Sequence, residues 1–136
     1  MSNGLSNGTQ IGERSNLINT PWIDFSEQST IVGWSSFTTK QIRYKVVGKL
    51  VHVVVLLIGT SNNAATTITL PFLPMIGTSN TLYSTDNGSP NICTCFLSVN
   101  QITAVFWRWS AITTLTQTWT ASGAKNIQGE FFYEIA

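Results

Sequence analysis

The chain has 136 residues, of which 43% are hydrophobic and only 10% charged, with a formal net charge of +1. That length suits one domain with a real core and is too short for two. The charged fraction lies well below the roughly 25% typical of soluble domains, so hydroxyl and amide side chains must keep the surface wet. No Lys/Arg cluster of the kind that phosphate binding requires is present, and nucleic acid is not an expected partner.

Residues 1–20 are polar and rich in Gly, Asn and Ser, and read as an arm. Such a segment normally frays unless its own domain, a neighbouring subunit or a larger assembly holds it. Residues 1–16, MSNGLSNGTQIGERSN, lack the basic start and apolar stretch of a signal peptide, so export by that route is not expected. Residues 21–136 form the expected domain.

Within it, QIRYKVV (41–47) alternates, with Ile42, Tyr44 and Val46 on one face and Gln41, Arg43 and Lys45 on the other. GKLVHVVVLLIG (48–59) follows, and after the loop GTSNNAA come TTITL (66–70), the loop STDNGSPN and ICTCFLSV (92–99). ITAVFWRWS (102–110) comes next, joined to the previous stretch by a tight hairpin at Asn100 and Gln101, then TLTQTWT (114–120). These stretches are rich in β-branched and aromatic residues. The closing NIQGEFFYEI sets Ile127, Gly129, Phe131, Tyr133 and Ile135 on one face and Gln128, Glu130, Phe132 and Glu134 on the other. No apolar pattern keeps helical spacing for three turns, so the fold class is all-β. Seven or eight short strands in one domain imply an antiparallel two-sheet β-sandwich, jelly-roll-like.

The run Leu50 to Ile58 carries one polar residue, His52. A membrane helix needs about 20 apolar residues, and one such strand does not make a membrane barrel, so membrane insertion is not expected. The run is a strand, apolar on both faces. Leaving four Val, Leu or Ile side chains in water would forgo about 6 kcal/mol or more, comparable to a domain's net stability. A loop, the arm or another copy of the chain must cover the second face, and a copy is the preferred reading. An interface tolerates an ionisable group better than a core does. Val51, Val53, Val55 and Leu57 are therefore assigned to the inside, and Leu50, His52, Val54, Leu56 and Ile58 to an oligomer interface. Several copies of His52 near one axis would repel when protonated, so acid is expected to weaken the assembly.

No catalytic residue, metal or cofactor is expected. Cys93 and Cys95 share one strand face as packed, reduced thiols, and His52 is the only histidine, so zinc lacks ligands. Glycoside cleavage needs two carboxyl groups about 5 to 9.5 Å apart. Glu130 and Glu134 share a face but stand about 13 Å apart at roughly 3.3 Å per residue. Asp24, Glu27 and Asp86 fall in expected loops whose separations the sequence does not give. The candidate ligand-binding residues are Tyr83, Asp86 and Asn87, in an expected loop, with Arg108 and Trp109 near a strand end. Trp107 is assigned to the core.

Tyr44, Gly48 and Val51 in YKVVGKLV, Leu70 and Pro71 in TITLPFLP, and Gly123, Ile127, Gly129 and Tyr133 in WTASGAKNIQGEFFYEI resemble the small β-sandwich domains of bacteriophage virion proteins. The likeness is chiefly to tail-fibre and receptor-binding tips and covers roughly residues 40–136. The resemblance implies a non-enzymatic virion component, a homotrimer whose end loops touch a host glycan or protein and whose arm meets other virion proteins. The chain has no coiled coil, collagen-like repeat or chaperone domain, so a compact tip, spike or capsid-decoration protein fits better than a long fibre. A free carbohydrate-binding module or lectin is the alternative.

Overall fold

The computed structural model describes residues 19–111, 113–116 and 118–136, so the arm falls almost wholly outside the described residues. Among the described residues nine strands follow in chain order: β1 (Ile23–Asp24), β2 (Trp34–Val47), β3 (Leu50–Ser61), β4 (Thr67–Thr69), β5 (Thr78–Asp86), β6 (Ser89–Leu97), β7 (Thr103–Ala111), β8 (Thr114–Thr116) and β9 (Ala124–Glu134). The chain is all-β, with no helix among the described residues. Every pairing is antiparallel.

The strands lie in one continuous sheet, in the order β1-β2-β3-β9-β5-β6-β7-β4, with β8 branching from β7. The sheet curls into a half-barrel. Its halves meet where β9 pairs with β3 along one edge and with the end of β5 along the other, as in Tyr83 opposite Gln128. At the far end β4 bonds outward to residues 30–32, through Val32 N–H to Thr67 O at 2.9 Å and Thr69 N–H to Thr30 O at 3.2 Å. That stretch leads directly into β2, so it ties the last strand of the sheet back to the second.

Two hairpins have two-residue turns in which positive φ is required. Gly48 (φ 62°) opens the β2–β3 turn, and Asn87 (φ 50°) with Gly88 (φ 81°) forms the β5–β6 turn. Asn-Gly is the pair that such a turn selects, because both central residues must enter the left-handed region. STDNGSPN is therefore a tight hairpin flanked by strand, and the expected loop around Tyr83 and Asp86 does not exist. The β6–β7 link turns one residue earlier than expected, with Gln101 N–H donating to Ser98 O at 3.1 Å and Asn100 at φ 58°.

The core lies inside the curl. Val51, Val53, Val55 and Leu57 of β3 are fully buried there, with Ile42 and Val46 of β2 and Ile127, Phe131 and Tyr133 of β9. Cys93 and Cys95 are free, buried thiols on the inner face of β6. Burial pushes Cys93 up to about 12 and raises Cys95 as well, so both are inert packing groups. Trp107 is not in the core. Phe106, opposite the inward Cys95, takes that place, and the register turns Trp107 outward opposite Thr94, half-buried.

Gly59 pairs with Phe37 of β2, between two register shifts at Trp34/Ser36 and Phe37/Thr39. A Cβ at Gly59 would overlap the Ser36 carbonyl oxygen and meet Phe37 Cα at 2.9 Å, both backbone atoms that cannot swing aside. Gly59→Ala should therefore cost about 3 kcal/mol or more, read as a lower midpoint in urea unfolding with an unchanged slope.

Candidate functional site

The structure splits the five candidate ligand residues between the inside and the outside of the curl. Asp86 closes β5 on the inner side, only 7% exposed, and its carboxylate is fully engaged. It accepts from Thr120 N–H at 2.9 Å and Thr120 Oγ1 at 2.8 Å and faces Arg108 Nε at 3.1 Å. Arg108 Nε also donates to Thr118 O at 2.7 Å. Asp86 and Arg108 thus come together, but as a clamp on residues 118–120 rather than as a ligand cradle. Asn87 is spent on the hairpin turn, where its side chain lies against Gly123.

Beside this clamp lies a cation that the sequence did not single out. Lys125, opposite Asp86 in register, is 1% exposed. Its Nζ donates to Gly33 O at 3.1 Å and stands 4.6 Å from the Trp34 ring centroid and 5.0 Å from that of Trp119. Two indole faces therefore replace part of the lost hydration. Burial still pushes the amine down to about 8, an effect that the Asp86 charge partly offsets.

Tyr83 and Trp109 lie on the outside. Tyr83 stands exposed between Gln128 of β9 and Ile92 of β6. Trp109 is half-buried, with its Nε1 donating to Thr94 Oγ1 at 3.1 Å. Asn91, Ile92, Trp109, Ser110 and Ala111 line an open groove of ≈ 400 Å³. A second groove of ≈ 410 Å³ runs along Phe96, Ser98, Val105 and Trp107, with Trp107 edge-on to Phe96 at 5.2 Å. The two indoles sit on one face of β7 about 7 Å apart, two strand residues on. Hydroxyl and amide groups border them, and neither groove is lined by a charged side chain.

On the outer face of β3, Leu50 is exposed and His52, Val54, Leu56 and Ile58 are half-buried. His52 Nε2 lies 2.6 Å from Glu130 Oε1, with Phe132 stacked at 4.2 Å and Trp22 edge-on at 5.0 Å. Glu130 supplies each copy with its own countercharge, which removes the reason given above for acid to weaken an assembly. The other candidate carboxylates are engaged too. Glu27 pairs with Lys40 at 3.1 Å, and the Ser26 hydroxyl and N–H hold the Asp24 carboxyl below its ordinary value.

Sequence reasoning missed one surface altogether. Among the described residues, twelve large hydrophobic side chains are exposed, and eight of them gather at one end of the half-barrel: Val47, Leu50, Phe72, Leu73, Met75, Ile76, Val99 and Ile102. Asn100 N–H bonds to Pro74 O at 3.0 Å, Met75 N–H to Glu134 O at 2.8 Å and Ile135 N–H to Lys49 O at 2.9 Å, so three loops and the end of β9 are knit together there. Tyr133 Oη accepts from Phe72 N–H at 3.3 Å and donates to Phe72 O at 3.0 Å, fixing the 71–77 loop. The opposite end carries Asn62, Asn63, the Asn87–Gly88 turn and the Thr118–Gly123 loop, and is polar. PFLPMIG was the available signal, an apolar stretch with two prolines that cannot continue a central strand.

No family model, curated protein or solved structure matches the chain.

The buried amine sets a pH dependence. Lys125 titrates at about 8 when folded against an ordinary 10.5, so between those values the unfolded chain binds the extra proton and stability rises with pH. Cys93 and Cys95 are raised above 9.0 and Tyr133 above 10.0, and they act in the opposite sense above those values. The melting temperature, followed by circular dichroism, should climb from pH 7 to about 9 and then fall, and Lys125→Met should remove only the climb.

Proposed function

We propose that this chain is a non-enzymatic structural protein of a bacteriophage virion, a compact tail-fibre or spike tip that meets the host surface. The observation that carries this reading is the segregation of its surface. Eight exposed large hydrophobics cluster at one end, while the other end and the outer face of β7 offer amides, hydroxyls and two indoles. An exposed apolar patch of that kind marks a protein contact. Residues 19 and 47 bridge at the same end, so the arm enters the fold where the rest of a particle would attach. The jelly-roll-like sandwich and the homotrimer belong to the same proposal, and the curl of the single sheet about β9 supports the former.

At the host side, flat indoles stack on sugar rings and neighbouring polar side chains bond to hydroxyls. Trp109 and Tyr83 are the residues proposed to touch a neutral surface glycan. The buried Asp86 carboxylate, already held by Thr120 and Arg108, supports recognition over hydrolysis. The same indole face also favours a second reading, a free carbohydrate-binding module, and capsid decoration would use the apolar end equally well.

Mass spectrometry of purified virions from the phage that encodes the chain separates these readings. Its presence with the tail is expected, presence with the head makes it decoration, and absence overturns the virion reading. On an array of bacterial surface glycans, Trp109→Ala should weaken binding about tenfold or more while circular dichroism still reports a folded chain.

A further inference from the structure

The outer face of β3 has unlike flanks. Arg43 and Lys45 line it on the β2 side, and Glu130 and Glu134 line it on the β9 side. Arg43, Val54 and Glu130 lie at one level, since Arg43 pairs with Val54 and Val54 with Glu130. The apolar row therefore runs between a basic and an acidic margin. Other charges near it do not erase that order. Asp24 stands opposite Arg43 in register and keeps its charge, but Ser26 holds its Oδ1, no Asp24–Arg43 ion pair forms, and Arg43 lies over the Trp22 ring at 5.1 Å; Arg43 and Lys45 together still leave the margin basic. His52 leans on Glu130 from within the row.

We propose that copies of this chain pack through this face around a rotation axis parallel to β3, with Arg43 of one copy facing Glu130 of the next. The inference rests on the self-association that forms part of the proposed function, and it adds the geometry. Rotation about an axis along the strand brings the β2 margin of one copy to the β9 margin of its neighbour at the same level, in a dimer or a trimer alike. Rotation about an axis across the strand sets Arg43 against Arg43 and Glu130 against Glu130, and like charges at an interface are strongly disfavoured. A second observation agrees. β3 runs from the apolar end at Leu50 to the polar end at Ser61, so an axis along it gathers every apolar end at one pole. An axis across it would put them at opposite poles.

Charge reversal tests the geometry in full-length protein, with association followed by light scattering and sedimentation and folding checked by circular dichroism. Wild type is expected to associate, and Val54→Lys to dissociate it. Arg43→Glu alone and Glu130→Arg alone should each weaken association about a hundredfold, and the double variant Arg43→Glu/Glu130→Arg should return it to within about threefold of wild type. An axis across the strand predicts otherwise, because each reversal then exchanges one like-charge pair for another. Single reversals that leave association unchanged, or a double variant that stays dissociated, overturn the axis while leaving self-association intact. A wild-type chain that is monomeric at high concentration overturns self-association itself and gives the face to residues 1–18 or to another protein.

Discussion

β3 is hydrogen-bonded along both edges, to β2 from Leu50 through Ser61 and to β9 from Leu50 through Thr60. With both ladders made, its side chains must alternate strictly, and a slip of one residue would drive His52 into the core and Val53 out of it. A half-barrel has one interior, so an uninterrupted apolar strand in its middle produces two apolar rows and a place for only one. The inner row builds the core with β2 and β9. The outer row is left half-covered between the polar side chains of its neighbours, and the question of what completes that cover follows directly from the pairing.

The polar end depends on a different solution. A lysine ammonium removed from water needs partners, and Lys125 finds the Gly33 carbonyl and two indole faces. The Asp86 carboxylate nearby is held by Thr120 and Arg108, so the segment after β8, which would otherwise be a free loop, is clamped across the mouth of the curl. Ser61 adds to this by donating to Thr120 O at 2.6 Å. A small cluster of charges thereby closes an end that has too few apolar residues to close itself. It also explains why Asp86, attractive as a ligand contact in sequence, has no free oxygen to offer.

What was legible in the sequence was local. The alternation of residues 41–47 and 126–135, the inward set Val51 to Leu57 and the shared face of Cys93 and Cys95 all follow from a period of two that each segment carries by itself. The Asn-Gly pair at 87–88 was equally readable as a two-residue turn, and taking STDNGSPN as a loop misplaced Tyr83 and Asp86. Trp107 was not readable. ITAVFWRW is apolar on both faces, and only its register against β6, which turns Cys95 and Phe106 inward together, decides which aromatic enters the core. The apolar end was hidden for the same reason, since Phe72, Met75, Val99 and Ile102 become neighbours only when distant loops meet.

An apolar row cannot by itself tell one direction from its reverse. Val54, Leu56 and Ile58 would pack as well against a copy running parallel as against one running antiparallel, because dispersion and the hydrophobic effect are indifferent to that choice. Direction has to come from groups with a sign, and the margins of the face provide them on strands that flank β3 at fixed register. In the proposed assembly the apolar residues supply the area, while Arg43, Lys45, Glu130 and Glu134 supply the orientation. In a module whose two ends differ so sharply in polarity, orientation decides whether an assembly has a base and a tip or two identical poles.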